Sequence, residues 1–348
     1  MKTLPSGLSR QVQSGVAAST EPNGEVRGDA ALARLPLVGV ILNPKSHRNL
    51  DHDPEIVEHP RVLCVAPTSK EALERALHEF AERRIEVLAI GGGDGTIRDV
   101  LTRGAAIFGD DWPEILILPQ GKTNALAIDL GIPGKWSLAQ ALTAVLGGER
   151  TRRRPLVVED PAIEGRRWFG FIFGAGVFNA AIDAGQVAHR FGAFQSFAVG
   201  ITTLFGILQA LFGIGDSPWR RISPMRIRAV TKAHDFPTSR HGNPDGRFMA
   251  GFTTLNTFPL GLRPFRQLED PAGVNYLVLD APVRRAVAIV PLVFLGFNFG
   301  FLKALGVHVG SCDDFRIELA DRFILDGEIF PPGNYQVSPG PELRFVIP

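Results

Sequence analysis

Short apolar runs alternate with stretches of helical spacing from Leu37 onward. Apolar runs of this kind are typical of strands buried on both faces of a parallel sheet, and the stretches between them are long enough for crossover helices. The pattern therefore predicts βαβ units, that is, an α/β domain built around a parallel sheet. The predicted strands are Leu37–Leu42, Arg61–Val65, Val87–Ile90 and Ile115–Leu118.

A longer amphipathic stretch lies between the second and third predicted strands. Its apolar positions recur at helical spacing and predict a helix over Ser69–Arg84. Thr68 and Glu71 have the spacing of a capping box, which predicts that Thr68 caps this helix. Further helices are predicted to begin near Thr96, Thr123 and Ser137.

The character of the chain changes after a basic run, Arg150–Arg154. Beyond this run the sequence is strand-like with many Gly and Pro turns, which predicts a second domain that is mostly β-structure. Of the 24 Phe residues, 18 fall between Phe169 and Phe301, and either a Phe-rich sandwich core or a lipid pocket accounts for this bias. We therefore expect a disordered lead-in at 1–35, an α/β domain at 36–152 and a β-sandwich domain at 153–348, whose last part can return to the first domain.

Two long uncharged stretches, Phe191–Gly215 and Ala286–Leu302, reach or approach the length needed to cross a bilayer. Polar residues and helix breakers interrupt both of them, such as Gln195 in the first and Pro291 in the second. We interpret both as helices that pack on or line an apolar cleft, or that lie on a membrane surface.

Charge and cysteine content exclude several classes of protein. Lys and Arg total 37 against 36 Asp and Glu, so no strong overall field attracts nucleic acid, and we expect no nucleic-acid partner. Cys64 and Cys312 are far apart, and the 8 histidines include no HExxH pair. These features indicate a reduced, cytosolic-side protein without structural zinc, and residues 1–35 lack the apolar stretch of a secretory signal.

A glycine-rich turn, Gly91–Thr96, follows the third predicted strand and precedes a predicted helix. Open α/β sheets bind ligands at the carboxyl ends of their strands. Glycines let backbone N–H groups approach a phosphate, and the positive end of the next helix favours an anion. The turn therefore predicts a phosphate site, although it fits neither the GxGxxG nor the Walker A fingerprint.

Polar side chains also follow the other three predicted strands, so we expect four polar loops at one edge of the sheet. Each loop has an ordinary alternative when it is taken singly: Asn43 with Pro44 is a turn, and Thr68 or Thr123 is a helix cap. Taken together, the four loops predict a binding site. The polar residues of the three further loops are Asn43, Lys45, Ser46, Thr68, Lys122, Thr123 and Asn124.

Four segments together resemble a known family. They are NPKS at 43–46, GGGDGT at 91–96, PQGKTNALAIDLGIP at 119–133 and LDGEIF at 325–330. In order and spacing they resemble the diacylglycerol kinase catalytic fold shared by bacterial lipid kinases, sphingosine kinases and ceramide kinases. GGDGT alone is shared with NAD kinases, but its combination with the TN-containing loop and a late DGE motif is much more specific. The resemblance runs from about Leu37 to the C-terminus.

This resemblance implies a nucleotide-binding α/β domain, a β-sandwich domain for a lipid acceptor, and an ATP site in the cleft between them. Glu328 matches the general base and Asp326 lies beside it, whereas Asp94 is expected to act through the nucleotide or its Mg²⁺. An alcohol that attacks a γ-phosphoryl group needs a carboxylate near its proton and cationic charge near the phosphate oxygens. The alternative for Asp326 and Glu328 is a hairpin turn with solvated acids. The implied nucleotide-binding residues are Asn43, Lys45, Ser46, Thr68, Gly92, Gly93, Asp94, Gly95, Thr96, Lys122 and Thr123.

Several positions depart from the family pattern. Lys122 and Ala125 stand where the loop usually has Thr and Asp, and Lys122 can either face a phosphate or pair with Asp129. Asp99 replaces a Glu after GGDGT, which keeps the carboxylate on a shorter arm. The acidic segment that holds a structural magnesium ion in the family keeps only two candidates, Glu269 and Asp270.

The sequence leaves three functions open. The first is an ATP-dependent kinase that phosphorylates a hydroxyl of diacylglycerol, ceramide or a sphingoid base; the others are a kinase of a soluble substrate such as NAD, and a nucleotide- or lipid-binding module without catalysis. The Phe-rich second domain favours the first. A lipid kinase is expected to be cytoplasmic and peripherally bound to an anionic membrane surface. The sequence is also compatible with a homodimer. The local cations expected to serve this contact are Arg150, Arg152, Arg153, Arg154, Arg166, Arg167, Arg220 and Arg221.

Overall fold

The computed structural model describes residues 35–46, 59–181, 183, 217–230, 234–268 and 273–348. Most of the predicted lead-in, the apolar stretch Phe191–Gly215, and the acidic pair Glu269 and Asp270 lie outside these residues.

The first part of the chain forms alternating strands and helices. In chain order they are β1 (Val38–Leu42), β2 (Val62–Val65), α1 (Lys70–Glu82), β3 (Val87–Gly92), α2 (Asp94–Phe108), β4 (Glu114–Pro119), α3 (Ala125–Asp129), α4 (Leu138–Gly147) and β5 (Glu149–Arg153). All four predicted strands are present within two residues of their expected bounds. The three helices predicted to follow α1 begin at Asp94, Ala125 and Leu138.

The start of α1 corrects one expectation. The N-cap is Ser69 rather than Thr68, because Ser69 has extended backbone and its Oγ accepts a hydrogen bond of 3.2 Å from the backbone N–H of Ala72. The capping-box spacing of Thr68 and Glu71 thus predicted the cap one residue too early, because a Ser caps a helix without an acidic residue three positions later.

The rest of the chain is mostly β-structure. In chain order it contains β6 (Leu156–Glu159), β7 (Arg167–Gly170), β8 (Ile172–Gly176), β9 (Ser223–Ala229), β10 (His234–Asp235), β11 (Gly246–Arg247), β12 (Met249–Thr253), β13 (Val274–Leu279), α5 (Arg284–Phe294), β14 (Val307–Cys312), β15 (Phe315–Leu319), β16 (Phe323–Leu325), β17 (Glu328–Phe330), β18 (Gly333–Pro339) and β19 (Leu343–Ile347). Single turns of 3₁₀ helix cover Pro218–Arg220, Pro259–Gly261 and Lys303–Leu305.

The first sheet has the order β2-β1-β3-β4-β19-β5. Strands β1 to β4 and β19 are parallel, and β5 runs antiparallel to β19. Leu77 of α1 and Val100 of α2 are buried on one face of the sheet, and Leu142 of α4 is buried on the other. Helices on both faces explain why the strands read as continuous apolar runs, and the predicted α/β class is confirmed.

Two antiparallel sheets form the sandwich that follows. One has the order β10-β9-β15-β18-β6-β7, with β11 against β9, and the other has the order β14-β13-β12-β8-β16-β17. Aromatic side chains from both sheets fill the core between them, and the rings of Phe173 and Phe323 lie 4.7 Å apart, as do those of Phe252 and Phe315. The predicted β-sandwich is confirmed, and this core accounts for part of the Phe bias.

The apolar stretch Ala286–Leu302 is not one continuous helix. Helix α5 ends at Phe294, and the chain then turns before the 3₁₀ turn that begins at Lys303. Among the residues that the structure describes, no helix is both long enough and apolar enough to cross a membrane.

A buried charge cluster lies at the outer end of the sandwich. Asp280 is 0% exposed and accepts hydrogen bonds from Arg247 Nη1 at 2.5 Å and from the backbone N–H of Ser239 at 2.7 Å. The imidazole of His308 is a third partner, with Nε2 at 3.1 Å from Oδ2 of Asp280. A buried carboxylate with this many partners stabilises the local fold only as long as all of them are present.

We therefore predict that Asp280→Asn lowers the free energy of unfolding by about 3–5 kcal/mol, because it leaves Arg247 as an uncompensated buried charge. Asp245→Asn is the matched control, since Asp245 pairs with Arg226 on the surface, where such pairs contribute about 1 kcal/mol or less. Urea unfolding of both variants measures the difference. Equal, small losses in the two variants would contradict a structural role for Asp280.

Candidate functional site

Two glycine loops meet at the carboxyl end of the parallel sheet. Gly93 follows β3, Gly121 follows β4, and their backbones are in direct contact. A Cβ on Gly121 would lie 2.4 Å from the Cα of Gly93, and a Cβ on Gly93 would lie 2.9 Å from the Cα of Gly121. Both positions therefore exclude any larger residue, and the contact leaves a floor of bare backbone in front of α2.

Asp94 joins these two loops. It is the first residue of α2, and its carboxylate accepts hydrogen bonds from the backbone N–H groups of Ala125 at 3.0 Å and Leu126 at 3.3 Å, at the start of α3. Burial raises the pKa of Asp94, whereas the hydrogen bonds from Ala125 and Leu126 oppose that rise. Carboxylates are favoured at helix N-termini, so this contact fixes α3 against the GGDGT loop.

Asn124 shapes the fourth loop. Its backbone lies in the left-handed region, with φ 51° and ψ 49°, a conformation that Asn tolerates better than most residues. Its Oδ1 accepts from the backbone N–H of Gly121, and its Nδ2 donates to the carbonyl of Gly121, both at 2.8 Å. This closed turn holds Lys122 and Thr123 at its tip, where both are exposed.

The first loop joins the same site. Nδ2 of Asn43 donates to Oγ1 of Thr96 at 2.8 Å, and Oδ1 of Asn43 accepts from the backbone N–H of Lys45 at 2.9 Å. Oγ of the buried Ser46 lies 3.3 Å from Oε1 of Gln120, which belongs to the fourth loop. Three of the four predicted loops are thus brought together by named hydrogen bonds.

Two predicted residues stand apart from this network. Thr68 follows β2, the outermost strand next to β1, and is exposed. Lys122 does not form the alternative pair with Asp129, because Oδ2 of Asp129 is bound by Nε of Arg153 at 2.6 Å. The alternative placement of Lys122 at this carboxylate is therefore wrong.

The DGE motif forms a tight hairpin. Asp326 and Gly327 connect β16 to β17 and have φ of 47° and 82°, as a two-residue hairpin turn with both φ values positive requires. The hairpin alternative is thus correct in its geometry. It is wrong in one respect, since the Asp326 carboxylate is not solvated.

The Asp326 carboxylate is enclosed between the two halves of the chain, although the residue as a whole keeps some exposed surface. It accepts hydrogen bonds from the backbone N–H groups of Phe171 at 3.0 Å and Ile172 at 2.9 Å. Burial, and next the negative charge of Asp94, raise the pKa of Asp326 to about 7. The two carboxylates therefore lie close enough to repel each other.

Arg98 is the residue that the sequence interpretation missed. It lies on α2 with its side chain only 6% exposed, and its Nη1 donates to the carbonyl of Leu325 at 3.2 Å. Its Nη2 binds Asp99 at 2.9 Å and also pairs with Glu328, whose side chain is 44% exposed. The sequence did contain a sign that Arg98 is buried. It lies one helical turn after Asp94 and shares a face of α2 with Leu101, which is in the core.

The arrangement suits a magnesium-bound nucleotide. The bare backbone at Gly93 and Gly121 can approach phosphates, and a divalent cation relieves the repulsion between Asp94 and Asp326. The described residues contain no group of three or more His, Cys, Asp or Glu side chains that could hold a metal ion. A magnesium ion at this site would therefore take much of its coordination from the nucleotide phosphates and water, as Mg²⁺ commonly does.

Comparisons with known proteins agree with this geometry. The family described as "Diacylglycerol kinase catalytic domain" matches residues 38–156. The lipid kinase YegS of Escherichia coli K12 is 34% identical over 122 residues, which cover 34% of this chain and 40% of that protein. A probable lipid kinase YegS of Shigella flexneri is 35% identical over 121 residues, with the same coverage. The chain therefore matches less than half of the length of these curated relatives.

A solved structure extends the likeness to the sandwich. The crystal structure of a putative diacylglycerol kinase from Bacillus anthracis str. Sterne matches with a TM-score of 0.60 and 14% identity, covering 90% of this chain and 98% of that one. At this identity the match shows the fold alone, and the similarity in sequence is confined to the first part of the chain. Residues 38–156 are thus similar in sequence to the diacylglycerol kinase catalytic domain, and the chain as a whole is similar in fold to a putative diacylglycerol kinase.

Proposed function

We propose that this protein is an ATP-dependent lipid kinase that transfers the γ-phosphoryl group to a hydroxyl of diacylglycerol, ceramide or a sphingoid base. One observation carries the proposal: Glu328 of the sandwich is held by Arg98 of α2, the helix that begins in the GGDGT loop. A carboxylate from one half of the chain thus pairs with the helix that follows the proposed phosphate-binding loop of the other half. Phosphoryl transfer to an alcohol requires a carboxylate near the acceptor hydroxyl and a site that holds the phosphates beside it.

In this proposal the loops bind the nucleotide. The backbone of Gly92, Gly93 and Gly95 approaches the phosphates, with the side chains of Thr96 and Asn43 fixed beside it by their mutual hydrogen bond. Magnesium supplies positive charge that neutralises the phosphates when bound. The side chains proposed to complete the site are Lys45, Ser46, Thr68, Lys122 and Thr123, with Asp94 facing the magnesium ion.

Glu328 then accepts the proton of the acceptor hydroxyl as this oxygen attacks the γ-phosphorus. Arg98 positions Glu328 and does not touch the reacting atoms, since its guanidinium is buried among Asp99, Leu325 and Glu328. Asp326 holds the hairpin turn by its contacts with Phe171 and Ile172. We propose for Asp326 a role in placing Glu328 and in sharing the cation with Asp94.

The two alternative functions, a kinase of a soluble substrate and a binding module without catalysis, have less support. A soluble substrate such as NAD is disfavoured by the DGE hairpin, and a module without catalysis is suggested by Lys122 and Ala125. In the structure, however, the backbone N–H of Ala125 still binds Asp94, so its missing carboxylate does not open the loop. Turnover of ATP with a panel of lipid acceptors, NAD and no acceptor separates all three. A cytoplasmic location, peripheral membrane binding and a homodimer also stay predictions.

We predict that Asp94→Asn and Glu328→Gln reduce phosphoryl transfer in different ways. Loss of the general base lowers kcat by about 100- to 10,000-fold while the KM for ATP changes little, because Glu328 acts on the acceptor proton. Asp94→Asn lowers kcat and also raises the KM for Mg-ATP, because in this proposal the Asp94 carboxylate faces the magnesium ion of the nucleotide. Steady-state kinetics with Mg-ATP and lipid dispersed in detergent measure both effects.

The control for Glu328→Gln is Glu342→Gln, which changes a carboxylate bound to Arg152 outside the cleft and should leave kcat unaltered. Near-normal turnover in Glu328→Gln would remove its assignment as the base.

Lys122 offers a second test. If its ammonium contacts phosphate, Lys122→Ala raises the KM for ATP by roughly tenfold, the effect of losing one charge-assisted contact. Lys122→Thr should have a smaller effect, because it restores the usual side chain of the family. Identical ATP affinity in all three proteins, measured by calorimetry, would make Lys122 a surface residue without a nucleotide contact.

The raised pKa of Asp326 predicts a pH-dependent stability in nucleotide-free buffer with a metal chelator. Its ordinary value is 3.8 and its folded value is about 7, so the folded chain holds a proton that the unfolded chain releases between these values. The stabilisation is full below pH ~4 and is lost as the pH rises through ~7. The stability of the wild type relative to Asp326→Asn should therefore fall by up to about 4 kcal/mol across this range. Urea unfolding that gives a constant or rising difference would contradict the assignment.

A further inference from the structure

An exposed ladder of aromatic rings follows helix α5. The rings of Phe297 and Phe299 are stacked with centroids 6.0 Å apart, and those of Phe299 and Phe301 with centroids 5.3 Å apart. Phe297 is 48% exposed and Phe301 is 51% exposed. Phenylalanine rings have no polar group that can form hydrogen bonds with water. A stack of them on the surface therefore indicates a site of contact with a protein or a membrane.

Exposed leucines continue this surface on both sides. Leu295 is 56% exposed at the end of α5, and Leu260 is 96% exposed with φ 64°, in the left-handed region that leucine rarely adopts. The backbone N–H of Arg263 donates to the carbonyl of Phe294 at 3.0 Å, which joins the two segments. We call the surface formed by Leu260, Leu292, Leu295, Phe297, Phe299 and Phe301 the apolar face.

The charge around the apolar face has one sign. Residues 254–268 and 281–312, which build it, contain no Asp or Glu. Five cations on these segments are exposed, and in the described part of the chain none of them forms an ion pair with a carboxylate. These cations are Arg263, Arg266, Arg284, Arg285 and Lys303.

The basic run at the domain boundary is different. Arg150 pairs with Glu114, Arg152 and Arg154 pair with Glu342, and Arg153 pairs with the buried Asp129. Each of these arginines has a carboxylate partner within the protein, which offsets part of its positive charge. In the described part of the chain, the five exposed cations beside the apolar face have no such carboxylate partner.

We propose that the apolar face docks on an anionic bilayer, with the Phe rings in the interfacial region and the five cations at the head groups. Charge of one sign around an apolar surface complements such a bilayer, which presents anionic head groups above hydrocarbon. The choice of a bilayer as occupant rests on the proposed lipid kinase function. The docking itself is measurable without turnover.

The apolar face is also near the candidate active site. The backbone N–H groups of Asn256 and Thr257 donate to Oδ1 of Asp129 at 2.8 and 2.7 Å, which fastens their segment to the last residue of α3. Asp94 binds the first residues of the same short helix. Chain geometry then keeps Leu260 within roughly 25 Å of the Asp94 carboxylate. This connection places the edge of the apolar face at Leu260 in the same region of the molecule as the cleft, which in the proposed function receives a lipid.

Co-sedimentation of the full-length protein with phosphatidylserine-containing vesicles tests this docking. The double variant Phe297→Ser/Phe301→Ser should lose at least tenfold in vesicle affinity, and Arg284→Glu/Arg285→Glu should lose a similar factor at low salt. The apolar control is Ile163→Ser, which removes a side chain that is 47% exposed and lies outside the segments that build the apolar face. The charge control is Arg152→Glu/Arg154→Glu. Both controls should change the affinity by less than threefold. All substituted residues are exposed to solvent, several of them by about half, and circular dichroism verifies folding of each variant.

Two results would overturn the proposal. One is wild-type vesicle affinity in Phe297→Ser/Phe301→Ser; if this variant also changes from dimer to monomer in sedimentation velocity, the apolar face is a contact between copies of this chain. The other is a larger loss in Arg152→Glu/Arg154→Glu than in Arg284→Glu/Arg285→Glu.

Failure of the proposed function gives a separate result. Phosphoryl transfer to a short-chain lipid in detergent micelles does not require docking, so the Phe variants should retain it. Vesicle binding that depends on the apolar face, without any turnover in micelles, would reject the kinase function and uphold the docking surface.

Discussion

The cleft depends on one buried guanidinium. Arg98 is removed from water, and a buried charge is tolerated only when it is paired and hydrogen-bonded. Asp99 supplies a partner from the same helix, while Leu325 and Glu328 supply partners from the hairpin of the sandwich. These contacts favour the observed orientation of the α/β domain and the sandwich, because without Leu325 and Glu328 the buried Arg98 would keep Asp99 as its only partner among those named. The same contact sets the distance between the DGE hairpin and the glycine loops.

The rest of the site is built largely from backbone. Gly93 and Gly121 touch through their main chains, Asp94 binds two N–H groups of α3, and Asp326 binds two N–H groups at the start of β8. Backbone groups in fixed loops need little rearrangement when a ligand arrives, since no long side chain must be ordered. The flexible cations Lys45 and Lys122 stay at the exposed rim of this frame.

The sequence predicted the periodic elements well, because strands buried on both faces and amphipathic helices leave a clear local pattern. It also pointed to the loops, because polar residues and glycines follow several strands that end at the same edge of the sheet. It placed the cap of α1 at Thr68 instead of Ser69, and it did not identify Arg98, whose partners in the sandwich, Leu325 and Glu328, lie more than two hundred residues away in the chain. The Arg150–Arg154 run looked like free charge for the same reason, because its carboxylate partners are distant in sequence.

The position of β19 has a consequence for how the chain folds. This strand lies between β4 and the edge strand β5, so the first sheet has a gap between these two strands until residues 343–347 emerge from the ribosome. Until then β4 and β5 each present an open edge, the feature through which partly folded chains associate with one another. Pairing between such distant parts of a chain is also slow to form. The domain that is synthesised first is therefore completed last, and residues 38–156 expressed alone would lack the strand that joins β4 to β5.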